Sequence, residues 1–125
     1  TKGIFMFKED SPSGKFLIKS YEPGRMLINE TWYTQALLLT PDCLIPLEAA
    51  KFSDLHPSSL LSAIPLPDVL LIGTGSTLLM PEQAWLHAFL SQGIGVEWMD
   101  TRRAAHTFTV LASEARKVAA VLLPH

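Results

Sequence analysis

Only one cysteine, Cys43, stands in the 125 residues. An internal disulfide is therefore excluded, and the chain reads as one that works in a reducing compartment. Charge is sparse as well: 18% of residues are charged, and the formal net charge is −2. Nothing in that balance points to nucleic acid or an anionic membrane surface as a partner. Long hydrophobic runs are missing. The longest fall far short of the roughly 20 residues a membrane-spanning helix needs, so no membrane insertion is expected. Thr1-Lys2-Gly3-Ile4 opens no signal-peptide core. His56, His87, His106 and His125 have no ligand-like spacing, which argues against a metal site. Neither a P-loop nor a Gly-x-Ser-x-Gly elbow occurs, and no internal repeat or low-complexity segment is visible.

What is present is apolar. Hydrophobic residues make up 48% of the chain, enough at this length for one ordered domain over residues 1–125 with a real core. The expected compartment is the cytoplasm of a bacterium. The expected fold class is α/β: an N-terminal antiparallel β meander packed with a small three-stranded parallel βαβαβ sheet and flanking helices.

Residues 1–50 form the β-rich portion. Phe16-Leu17-Ile18 and Met26-Leu27-Ile28 are short apolar runs either side of Glu22-Pro23-Gly24-Arg25, a turn signal. Residues 36–40 predict a third strand and 43–47 a fourth, with Pro46 suiting a strand end. Residues 51–67 connect the halves, with a short helix over 58–64 stopped by Pro65 and Pro67. Residues 68–123 read strand, helix, strand, helix, strand. Pro81 suits a helix start, and Trp85, Leu86, Phe89 and Leu90 make an apolar helical face. Gly93 suits the C-terminal cap, and Asp100 or Thr101 the next N-cap. Ala104, Phe108, Leu111 and Ala115 share the stripe of the second helix. Right-handed crossovers make the three strands parallel.

In such sheets ligands bind outside the carboxyl ends of the strands. That rim carries Gly73, Thr74, Gly75 and Ser76 from one loop, and Asp100, Thr101, Arg102 and Arg103 from the other. Glycine-loop amides and a helix N-terminus hold anions, so a small anionic ligand is one reading of the rim. Arg102 and Arg103 oppose the helix dipole, by about 0.3–1 kcal/mol each if exposed; Asp100 alone could compensate them, and an anion or acidic partner is the sharper alternative. Against this, Leu78 stands where a dinucleotide fingerprint has its third glycine, and a tight turn alone explains the glycines. Asp100 serves as a helix cap before it serves as an acid. Cys43 reads as a small buried hydrophobe rather than a nucleophile. A second candidate surface comprises Arg103, His106 and Val110 on the outer face of the second helix, with Trp32 and Tyr33 as an aromatic anchor if exposed. A Ser76, His106 and Asp100 triad can be drawn, but no motif supports it.

Leu71-Ile72-Gly73-Thr74-Gly75, Pro81, Gly93-Ile94-Gly95-Val96-Glu97 and Met99-Asp100-Thr101 carry a resemblance. So do Ala104, Thr107, Glu114, Arg116 and Val118-Ala119-Ala120. Together they resemble a family of small α/β domains of unknown function. It includes a mitochondrial respiratory complex I assembly factor of the alpha subcomplex and an adipogenesis-associated domain protein. The resemblance runs from about Phe16 to Leu123 and is strongest after Asp68. It implies an α/β fold with a β-rich N-terminal portion, a pocket near the Gly-Thr-Gly loop, and no established catalysis. Many relatives have small residues where Arg102 and Arg103 stand, Cys-Arg where Ala105-His106 stand, and Asn where Thr109 stands.

Three functions follow in order. The first is a non-enzymatic accessory, interaction or assembly-type domain with a protein partner, using no cofactor. Next comes phosphate or small-molecule binding at Gly73 to Ser76 and Thr101 to Arg103. A hydrolase using Ser76, Asp100 and His106 is last. Oligomeric state is not legible.

Overall fold

A run of residues that are apolar on both strand faces needs cover on both sides, and this chain has several such runs. The computed structural model describes residues 9–10, 15–48, 55–76 and 83–125. Val69–Gly73 (β7) is buried at every position, as are Val118–Leu122 (β9), Leu37–Leu39 (β5) and Cys43–Pro46 (β6). These strands form the middle of one six-stranded sheet, in the order β1-β6-β5-β9-β7-β8. Its remaining members are the short β1 (Glu9–Asp10) and the edge strand β8 (Gly95–Met99). β7 runs parallel to both β8 and β9, with Val69 opposite Gly95 on one side and Val118 on the other. β5 is antiparallel to β6 and to β9. The sheet is therefore mixed.

This corrects the expected meander. β5 and β6 leave the N-terminal portion and extend the parallel strands into one larger sheet. The reason is burial: Leu37, Leu38, Leu39 and Leu44 have no exposed face, and a small half-solvated meander cannot cover both sides of such strands. What remains apart is a three-stranded antiparallel sheet of β2 (Ile18–Glu22), β3 (Arg25–Ile28) and β4 (Thr31–Tyr33). The turn at Pro23 and Gly24 lies where the sequence signals it, with Gly24 at φ 99°. The first apolar run mostly precedes its strand. Phe16 is buried and donates its N–H to the Pro41 carbonyl at 2.8 Å, while Leu17 is 48% exposed. β4 was not expected as a strand.

Helices cover both faces of the large sheet. On one side lie α1 (Pro57–Ala63) and α2 (Gln83–Leu90). Leu60, Trp85 and Phe89 from these helices pack on Leu38, Ile45, Leu70, Ile72 and Val121. On the other lies α3 (Thr101–Ser113) with the three-stranded sheet. Ala104 and Phe108 from α3 and Met26 and Ile28 from β3 pack on Leu37, Leu39, Leu71, Ala120 and Leu122. The alternation of β7 sends Leu70 and Ile72 one way and Leu71 the other, as a strand must.

Two helical stripes are narrower than their spacing suggests. In α2, Trp85 and Phe89 are buried with ring centroids 5.6 Å apart, but Leu90 is 61% exposed. In α3, Ala104 and Phe108 are buried and Leu111 is half-buried, but Ala115 lies beyond the helix end at φ 59°. Pro81 and Leu78 lie outside the described residues. Gly93 follows α2 at φ 78°, as expected of its C-terminal cap.

Candidate functional site

The loop after β7 meets the start of α3, and the polar groups there are bonded to one another. Thr74 donates its N–H to the Met99 carbonyl at 2.9 Å, and its hydroxyl reaches the same oxygen at 3.2 Å. Gly75 N–H donates to Thr101 Oγ1 at 2.8 Å, and Thr101 N–H returns to the Gly75 carbonyl at 2.9 Å. The Thr101 hydroxyl in turn donates to the Leu123 carbonyl at 2.6 Å. Thr101 is fully buried. It serves as the first residue of α3 and as a junction between three segments, while Asp100 is the cap. Asp100 Oδ1 accepts the Arg103 N–H at 2.9 Å, which satisfies one of the open amides of the first helical turn.

Both loop glycines have steric reasons. A Cβ at Gly73 would stand 3.0 Å from the Ala104 side chain and from the Thr101 backbone, so α3 sits directly against the strand end. Gly75 adopts φ 91°, and a Cβ there would fall 1.5 Å from the His125 carbonyl oxygen. Residues 123–125 thus lie across the loop. Leu123 N–H donates to the Gly73 carbonyl at 3.1 Å. Pro124 carbonyl accepts from Gly24 N–H at 2.8 Å and from the Tyr21 hydroxyl at 3.1 Å.

The structure brings Gly73, Thr74, Gly75, Asp100 and Thr101 together, with the amides of Thr74, Gly75, Thr101 and Arg103 all donating within the chain. Ser76 is exposed beside them. Arg102 turns toward β2, its guanidinium 5.2 Å from the Tyr21 ring centroid. The closing residues Tyr21, Gly24, Pro124 and His125 were missed by the sequence reading. Gly24 had a turn signal, but nothing local connects it to a segment a hundred residues away.

The outer face of α3 is open. Arg103, His106 and Val110 are exposed, and they recur at helical spacing opposite the buried Ala104 and Phe108. Trp32 and Tyr33 do not act as a pair. Trp32 faces outward opposite Leu27, with the Arg25 guanidinium 3.8 Å above its ring, and is 38% exposed. Tyr33, opposite Met26, packs into the core between the sheets. Cys43 is buried, with Thr40 Oγ1 at 3.3 Å from its sulfur. No three His, Cys, Asp or Glu side chains gather as a metal site among the described residues. Among those residues no helix is long and apolar enough to cross a membrane.

Fold and site together define a mixed-sheet α/β protein whose strand-end loop is closed over by its own chain. The chain belongs to the DUF498/DUF598 family of proteins of unknown function, which it matches over residues 18–123. It is 32% identical to NADH dehydrogenase [ubiquinone] 1 alpha subcomplex assembly factor 3 of Danio rerio, over 97% of this chain and 71% of that protein. It is 25% identical to a protein of Francisella tularensis subsp. holarctica named 13 kDa major membrane protein, over 96% of this chain and 100% of that one. Among solved structures, a Bordetella parapertussis protein superposes with a TM-score of 0.82 at 28% identity, covering 92% of this chain and 100% of that one.

Proposed function

We propose that this chain is a non-enzymatic accessory protein that binds another protein through the outer face of α3. One observation carries the reading: Arg103, His106 and Val110 form an exposed row on a helix whose opposite side is locked into the core. A row of a cation, an imidazole and an apolar residue, held on a rigid element, is a surface suited to an acidic partner. The name of the Danio rerio relative, an assembly factor, supports the same reading. Asp100 as cap and Thr101 as buried junction position this face rather than perform chemistry. In this reading the protein works in the cytoplasm. The name of the Francisella relative weighs against that placement, and fractionation of the host cell decides between the two.

The test is affinity capture from host extract with wild type, with Arg103→Glu combined with Val110→Asp, and with Lys19→Glu on the exposed side of β2 as control. The reading expects a partner that survives the control and is lost with the α3 variant. A partner retained by the α3 variant would overturn it.

Phosphate or small-anion binding at Gly73 to Ser76 and Thr101 to Arg103 is the weaker reading. The amides it would use at Thr74, Gly75, Thr101 and Arg103 already have acceptors.

A further inference from the structure

The far end of the large sheet, at the amino ends of β7 and β9, carries a cleft that neither the sequence motifs nor the relatives' names point to. Its volume is about 530 Å³, within the roughly 300–1,000 Å³ range of small-molecule sites. Among the described residues, four charged side chains line it: Lys15, Asp42, Arg116 and Lys117. Lys15 and Asp42 neutralise each other at 2.5 Å. Arg116 and Lys117 are in no ion pair among the described residues. Two uncompensated cations in one cleft stand out on a chain whose formal net charge is −2. Leu66 and Pro67 of the connector add aliphatic surface, with Leu66 half exposed, while Val118 reaches the lining from the core.

We propose that this cleft binds a single amphiphile, an aliphatic chain ending in a carboxylate. The guanidinium of Arg116 offers the planar fork that carboxylates accept bidentately, and Lys117 adds a second positive charge beside it. Among the described residues no aromatic side chain lines the cleft, so they provide no stacking surface for a nucleobase, whereas Leu66 and Pro67 suit an alkyl chain. Prolines on both sides of Leu66 hold that surface in place, because their φ angles are locked.

The end of α3 removes the obvious objection, that a helix C-terminus repels anions. Ala115 N–H bonds the Ala112 carbonyl at 3.0 Å and Arg116 N–H bonds the Leu111 carbonyl at 3.1 Å. That is a Schellman cap, which gives partners to two of the last four carbonyls of the helix. The same turn carries the chain out of the helix, so that Arg116 and Lys117 line the cleft wall.

The proposal is independent of the α3 outer face. Its test is an amide NMR titration of the full chain with sodium decanoate, kept below the concentration at which it forms micelles. The expected result is saturable shifts at Leu66, Ala112, Arg116, Lys117 and Val118, with none at Gly73 to Ser76. Decyltrimethylammonium, with the same tail and the opposite charge, should produce none of them. Arg116→Gln with Lys117→Gln should weaken decanoate binding by about tenfold or more, and Leu66→Ser should weaken it while leaving the spectrum folded. Any one of three results would overturn the proposal. These are no saturable shift, equal shifts with decyltrimethylammonium, and binding to phosphatidylglycerol vesicles without binding to dispersed decanoate. The last would make the cleft a membrane-surface contact rather than a pocket for one molecule.

Discussion

Thr101 joins three distant parts of the chain through one residue. Its hydroxyl accepts from Gly75 and donates to Leu123, and its amide bonds Gly75 again. Valine has nearly the same shape and neither bond. Thr101→Val therefore leaves a buried N–H and a buried carbonyl without their partner, and each such group costs about 1–3 kcal/mol. Urea denaturation should show a loss of that order with an unchanged slope. Thr101→Ser, which keeps the hydroxyl, should recover most of it. A loss below about 0.5 kcal/mol for Thr101→Val would mean that other donors and acceptors replace the hydroxyl. Threonine at this position reads from sequence as one of two equivalent caps. Only the approach of residues 123–125 separates its part from that of Asp100, and that approach leaves no local trace.

At the scale of elements, α3 ends on an alanine where glycine is the usual choice. Ala115 holds φ 59° at the position after the cap, and a side chain in that conformation costs roughly 1–2 kcal/mol per residue. Glycine would remove the strain but widen the freedom of the unfolded chain, by about 0.4–1 kcal/mol. Ala115→Gly should thus raise stability by up to about 1 kcal/mol, read as a higher urea midpoint. A decrease would show that the Ala115 side chain contributes contacts beyond its turn. The helices and the parallel strands were legible because their signals are local: apolar residues at helical spacing, a cap at Asp100, a glycine after α2. The placement of β5 and β6 was not. Leu37-Leu38-Leu39 announces burial on both faces, but its partner β9 lies about eighty residues on, and pairing across that distance is set by the whole sheet. β4 escaped notice because a three-residue strand with one aromatic turned in and one turned out has too little pattern to read. The candidate surface on α3 followed from helical phase, whereas the basic cleft did not, since it assembles from residues 15, 42, 66 and 116–118.

Across the whole molecule, stability should be graded from the centre of the large sheet outward. β7 and β9 are buried along their length and paired on both sides. β4 is a short edge strand with two of three residues exposed. Native-state hydrogen exchange should therefore find the slowest amides in β7 and β9, opening only with global unfolding, and faster exchange in β4 and at the start of β2. Equal protection in β4 and β9 would mean that the small sheet unfolds only with the rest. The two proposed surfaces sit differently on this gradient. The outer face of α3 belongs to a helix clamped on the core, so a partner would meet it preformed. The cleft is walled partly by the connector at 65–67, so a ligand there should slow exchange locally as well as shift resonances.

The position of β9 also bears on how the protein is made. It lies between β5 and β7, so the antiparallel and parallel parts of the large sheet have no direct pairing until it arrives. A ribosome delivers the chain from the N-terminus at roughly 5–20 residues per second. Throughout that time Leu37–Leu39 and Val69–Gly73 must wait, each with one strand edge bare, for a strand that begins at Val118. The nascent chain therefore carries two apolar half-sheets in search of the same missing piece, and it becomes a native protein only after residue 122 has left the exit tunnel. Until then its safest company is a chaperone.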